Sequence, residues 1–226
     1  MTRDLGIEGF GNLAGAAVAR VPGPGRWAGG VITALGSLVA AVFASRPTSG
    51  PGVAGAVIMV GGKAVAFVQA LLGMQWPRPL TPDEVTHLST VYAGSVDLSL
   101  VRLVPGRAGV FGLNKRPFTL GNTIYLKNTG GPRVLVHECA HVWQYQHLGG
   151  RYTFDALWAQ LTVKPDAYRW ADELGRGRAH WRDFNREAQA QFLEDLAEAG
   201  LGRFVVAGVD HTDLARETLA EVRGES

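Results

Sequence analysis

The run Val134-Leu135-Val136-His137-Glu138-Cys139-Ala140-His141-Val142-Trp143 constrains this chain more than any other stretch. Two histidines at i and i+4 share one face of a helix, a turn apart. Both imidazoles can then reach one metal ion, and zinc accepts such nitrogen donors. Glu138 projects beside that face, where a carboxylate can take a proton from water activated by a catalytic metal. The flanking residues are apolar, so the helix should be buried and its ligands held stiffly. Cys139 points away from both histidines and reads as a small core residue. As the only cysteine it excludes an internal disulfide.

A catalytic zinc takes three protein ligands and keeps a fourth position for water. His147 has the histidine spacing of the metzincin motif, but that motif needs a glycine where Gln144 stands and a methionine turn downstream. Met1, Met59 and Met74 all lie upstream. Glu187, in Phe184-Asn185-Arg186-Glu187-Ala188-Gln189-Ala190-Gln191, sits on a later helix that can pack against the first. It is the expected third ligand, as in gluzincins. Asp195, two turns on, is expected to buttress a histidine from behind. Gln144 falls on the metal face and would position substrate, hydrogen-bond a ligand or sit at the cleft mouth. Tyr152, Tyr168 and His180 lie between the two ligand helices. One of them could donate a hydrogen bond to the oxyanion, and packing is the plainer role for each. His87 and His211 read as surface or core residues, and Trp143, Trp158, Trp170 and Trp181 as core.

The chain divides near Pro77-Arg78-Pro79, giving an apolar Gly/Ala-rich unit over 1–79 and a second unit over 80–226. Trp27 to Ser45 carries no charge, and Gly52 to Met74 is interrupted only by Lys63 and Gln69. Arg46-Pro47-Thr48-Ser49-Gly50-Pro51 between them has turn composition. Two helices joined as a hairpin are expected, held by small-residue rows at Gly36, Ala40 and Ala44 and at Gly62, Ala66 and Ala70. The first is about long enough to cross a bilayer, whereas Lys63 opposes insertion of the second. The hairpin therefore either spans a membrane through 27–74 or buries itself against the downstream domain or a partner. If it spans, Arg20, Arg26 and Arg78 against Arg46 put both ends and the downstream domain in the cytoplasm. A secretory signal is not expected, because the apolar run starts late and follows an acidic, Gly-rich leader. The expected location is the cytoplasm, a membrane surface, or outside the cell by a route without a signal peptide.

Downstream, Thr81-Pro82-Asp83-Glu84 is a capping box opening a helix that should stop at Gly94. Val101–Val104 reads as a short strand. Phe118–Leu126 reads as strand with a turn or bulge at Gly121-Asn122. Thr129-Gly130-Gly131-Pro132 breaks the chain before the His137 helix, which should run to Leu148 and stop at Gly149-Gly150. Helices follow over 154–161, 167–174 and 184–199, with a short, mostly solvated one over 211–222. Residues 1–80 carry six basic and two acidic residues, and 81–226 carry sixteen basic and eighteen acidic ones. No basic stripe interleaved with aromatics appears, so nucleic acid is not an expected partner.

From Leu80 to about residue 197 the chain resembles the zincin-like domain of Vgr-related proteins and of proteins associated with extracellular contractile injection systems. The resemblance rests on Leu80-Thr81-Pro82-Asp83-Glu84, Val101-Arg102, Thr119-Leu120-Gly121-Asn122-Thr123-Ile124-Tyr125, the two-histidine motif with Val142-Trp143-Gln144-Tyr145-Gln146 after it, and Glu187-x-Gln189-Ala190. It implies a zinc metallopeptidase beside secretion or injection machinery, acting on a peptide or protein. The expected fold is α+β, a mostly helical zincin-like domain with a short β-hairpin or small sheet after an apolar helical hairpin. Zinc would be held by His137, His141 and Glu187, with Glu138 catalytic. The rival expectation is a non-catalytic zinc-binding module or a membrane-inserting effector.

Overall fold

A computed structural model describes residues 2–20, 25–44, 50–106, 108–113, 116–128 and 131–225, with backbone alone for 2–5 and 44. Residues 46–49 of the expected turn at 46–51 and residues 129–130 of the expected break lie outside them, whereas Gly50 and Pro51 are helical rather than turn. The fold is α+β and mostly helical, in the order α1 (Thr2–Ala19), α2 (Gly25–Ala44), α3 (Gly50–Leu71), β1 (Arg78–Pro79), α4 (Pro82–Tyr92), β2 (Arg102–Val104), β3 (Phe118–Leu120), β4 (Thr123–Tyr125), α5 (Pro132–Leu148), α6 (Arg151–Thr162), α7 (Trp170–Gly175), α8 (Arg186–Glu198), β5 (Val205–Val206), β6 (Val209–Asp210) and α9 (Thr212–Arg223).

The local signals act as expected. Thr81 accepts from the Glu84 N–H, and Glu84 accepts from the Thr81 N–H, which closes the capping box of α4. Pro132 opens α5, and Gly149, at φ +66°, ends it in a conformation that favours glycine. The four-stranded sheet has the order β1-β2-β4-β3. β2 and β4 are parallel, and the β3–β4 hairpin is antiparallel, with β3 at the edge. Helix α5 lies against this sheet and α8. Val136, Cys139, Ala140, Ile124, Phe192 and Leu196 are fully buried between them.

Three expectations need correction. The Gly-rich leader forms helix α1 and packs on α2, where Gly11 meets Gly36 closely enough that a Cβ on either would lie 2.8 Å from the other's Cα. The small-residue row of α2 thus receives α1, while Gly62 of α3 receives Leu120 of β3. Trp158 is 56% exposed on α6 rather than core. Helix α9 is not mostly solvated either, since Ala215, Thr218, Leu219 and Val222 are buried.

The three N-terminal helices turn their polar groups toward the sheet. Glu8 accepts from Ser37 Oγ at 2.7 Å and from Asn122 Nδ2 at 2.8 Å. Lys63 Nζ donates to Ser37 Oγ and, at 3.1 Å, to Thr123 Oγ1. Asn12 Nδ2 donates to the Leu100 carbonyl at 3.2 Å. Buried polar groups need such partners, and here the partners lie on both sides of the expected boundary at residue 79.

Candidate metal centre and its cleft

Helix α5 presents His137 and His141 from successive turns of its buried face. Helix α8 starts at an Asn185 cap whose side chain accepts from the Glu187 and Ala188 N–H groups. This places Glu187 in the first helical turn, where the helix dipole favours a carboxylate. Packing α8 on α5 brings its Oε2 to 3.6 Å from His137 Nε2 and 3.5 Å from His141 Nε2. One donor atom from each of the three buried residues lies within 4.8 Å of the other two. Two imidazole nitrogens and a carboxylate oxygen form the donor set of a catalytic zinc site.

Each donor is held from behind. His141 Nδ1 donates to Gln144 Oε1 at 2.9 Å, and Gln144 Nε2 donates to Gln189 Oε1 at 3.0 Å. Gln144 is fully buried, so it fixes the His141 ring from behind rather than sitting at the cleft mouth. Gln160 Nε2 donates to Glu187 Oε1 at 2.9 Å and leaves Oε2 for the histidines. His137 Nδ1 lies 3.2 Å from Glu194 Oε2, within ion-pair reach though off the line of a straight hydrogen bond.

Glu194 therefore occupies the place expected of Asp195. Asp195 points elsewhere, its Oδ2 accepting from Trp170 Nε1 at 2.8 Å. The signal for Glu194 was available, since it lies seven residues after Glu187 and so on the same helical face. Gln160 had no such signal, because its reach depends on how α6 crosses α8. His147 is exposed on the far side of α5, stacked on Trp143 and bonded to the Trp143 carbonyl.

Glu138 faces the cleft beside the histidines, and its carboxylate accepts from Thr119 Oγ1 at 2.8 Å. Burial pushes its pKa up, against the opposing pull of His141, His137 and Thr119. Burial would lower His137, but Glu187, Glu194 and Glu138 outweigh it and raise its pKa to about 10. His141 is raised in the same way, chiefly by Glu187. Glu187 is held far below the usual carboxylate range by the two histidines, against its burial. The carboxylates thus favour positive charge between them, supplied by protons or by a divalent cation that displaces them.

The cleft in front of these groups has a volume of about 260 Å³. Ile58 and Gly62 of α3, Phe118 of β3, and Ala156 and Leu157 of α6 form its apolar walls. Tyr168 lines it with its ring stacked on His137, centroids 5.8 Å apart, and the Arg116 guanidinium lies over the Tyr168 ring, 5.3 Å from its centroid. Tyr152 also lines it, but the hydroxyl is engaged, donating to the Thr119 carbonyl and accepting from the Gly121 N–H, each at 3.1 Å. His180 is not among the lining residues. It is exposed and pairs with Glu217 at 2.6 Å.

The Tyr152 contacts bear on how an extended peptide could use β3. Arg102 N–H bonds the Asn122 carbonyl and Leu126 N–H bonds the Val104 carbonyl, so Ile124 faces β2. Phe118 and Leu120 therefore bond β4, and the backbone groups of Thr119 and Gly121 point outward. Tyr152 covers two of those outward groups, the Thr119 carbonyl and the Gly121 N–H.

Comparison with family models, with curated proteins and with solved structures returned no match for this chain. The reading of the centre rests on its geometry.

Proposed function

We propose that this chain is a zinc-dependent metallopeptidase with His137, His141 and Glu187 as ligands and Glu138 as the proton carrier. The observation that carries the proposal is the convergence of those three donors, each braced from behind, beside a buried carboxylate that opens on a cleft. Zinc held there would lower the pKa of a water and polarise a peptide carbonyl. Glu138 takes the proton from the attacking water and returns it to the leaving amine. Its raised pKa suits a group that must both accept and release a proton near neutrality. Tyr168 offers a hydroxyl to the carbonyl oxygen as it gains charge. The apolar walls from α3, β3 and α6 receive an apolar side chain of the substrate and keep water away from it. A braced structural zinc site has no use for an open carboxylate such as Glu138, which favours catalysis over a purely structural role. Association with secretion or injection machinery rests on the family resemblance alone.

The test is a metal analysis and a peptide-library digest of wild type and two variants. Glu138→Gln is expected to keep one zinc per chain and to lose peptide hydrolysis by about 10²–10⁴-fold. The double variant His137→Ala/His141→Ala is expected to lose the metal. Full zinc occupancy in the double variant, or undiminished hydrolysis in Glu138→Gln, overturns the proposal.

A further inference from the structure

The N-terminal helices reverse the polarity of a water-soluble helix layer. Lys63, the one charge in α3, is buried, as are Glu8, Asn12, Thr33, Ser37 and Gln69. The outward face of α3 carries Val53, Val57, Val65 and Val68 at helical spacing, with Leu72 just past its end, and Val57 is 67% and Leu72 66% exposed. Helix α1 adds Phe10 and Leu13 at 75% and 74% exposure, and α2 adds Leu35, Val42 and Phe43. An uncovered apolar face of this extent, on a layer that buries most of its polar side chains, calls for an apolar neighbour.

We propose that this face lies on an anionic lipid bilayer, with α2 and α3 in the plane of the interface rather than across it. Both helices are long and apolar enough to cross a membrane, and most of each is unburied by the rest of the chain. Crossing conflicts with the packing of α3. Its inner side meets the downstream domain from Gly55, against Gly150, through Lys63, against Thr123, to Gln69, against Gly109. That is about 21 Å of helix at 1.5 Å per residue, a large part of a hydrocarbon core about 30 Å thick. A spanning α3 would draw the sheet and the start of α6 into lipid with it. Lying flat, the apolar side chains enter the headgroup and acyl boundary while the domain stays in water.

Two features select lipid over a second protein surface. Trp27 and Trp76 meet at Gly73, both partly exposed, and tryptophan is enriched where a membrane meets water. Among the described side chains of residues 6–72 the outward charges are Arg20 and Arg26, both positive, which complements anionic headgroups.

The experiment uses the full chain and vesicles of phosphatidylcholine with phosphatidylglycerol. Wild type is expected to float with the vesicles. The triple variant Val57→Glu/Val65→Glu/Val68→Glu is expected to float at least tenfold less, with unchanged helix content by circular dichroism. Depth is read in otherwise wild-type protein from fluorophores placed at Val57→Cys or Leu72→Cys, because the native Cys139 is buried. In-plane helices give equal shallow quenching at both sites. A deep label at residue 57 with a shallow one at 72 means a span and overturns the in-plane arrangement. Absence of flotation overturns the proposal outright, as does a wild-type dimer in light scattering that does not float and is dispersed by the triple variant.

Discussion

Replacing Glu194 tests whether the braces behind the ligands set metal affinity. Its Oε2 lies 3.2 Å from His137 Nδ1, the nitrogen on the far side of the ring from the cluster. The side chain is 13% exposed, and contact with His137 is the first cause that holds its pKa below the usual carboxylate range. A carboxylate in that position orients the ring and makes the other nitrogen a better donor. Loss of such a partner costs about 10–100-fold in metal affinity, which is about 1.4–2.8 kcal/mol. Glu194→Ala is expected to show that loss. Glu194→Gln keeps an acceptor oxygen without the charge and is expected to fall between Glu194→Ala and wild type. Asp195→Asn, one residue on, leaves the imidazole untouched and is expected to change zinc affinity less than about twofold. The assay is competition with a chromophoric zinc chelator at one fixed pH, since ligand protonation alters apparent affinity. Equal affinity in wild type and Glu194→Ala, or a larger loss in Asp195→Asn, would refute the reasoning.

Two further outcomes follow from the same geometry. Glu187→Ala should weaken zinc binding strongly while His147→Ala leaves it unchanged, because His147 stacks on Trp143 away from the cluster; the opposite ranking in the chelator titration would remove Glu187 as the third ligand. In metal-free protein the raised His137 pKa makes its pairing with Glu187 and Glu194 stabilising below about pH 6.5, and this contribution is lost as pH rises through about 10. Melting temperatures of chelator-treated protein should therefore fall between pH 7 and 10 by more than those of zinc-loaded protein, in which the histidines are already deprotonated; parallel curves would count against the charged apo cluster.

The candidate site was largely legible along the chain because helical periodicity converts spacing directly into a shared face. His137 and His141 follow from that rule, and Glu138 follows from its place beside them. Glu187 needed one more step, the assumption that a later helix packs on the first. The buttress was misplaced by one residue for a physical reason. Asp195 and Glu194 differ by about 100° around α8, and only the roll of α8 against α5 decides which carboxylate faces His137. That roll is set by Phe192, Leu193 and Leu196 entering the core. The two oxyanion candidates on the cleft wall were not separable by spacing either. Tyr152 is tied to β3 and Tyr168 is stacked on His137 because of how separate segments cross.

The sequence by itself determined the elements that local chemistry controls: the capped start of α4, the hairpin at Gly121-Asn122, the glycine stop of α5, and the apolar character of α2 and α3. It also determined which residue types converge on α5, since helical spacing is a local property. Tertiary structure alone decided what the N-terminal helices do. A row of small residues marks where a close approach is possible but not which partner approaches. Gly36 met α1, Gly62 met Leu120, and the inward turn of Lys63 toward Ser37 and Thr123 left valines outside. Such choices depend on contacts between residues far apart along the chain, whose distances no local pattern encodes.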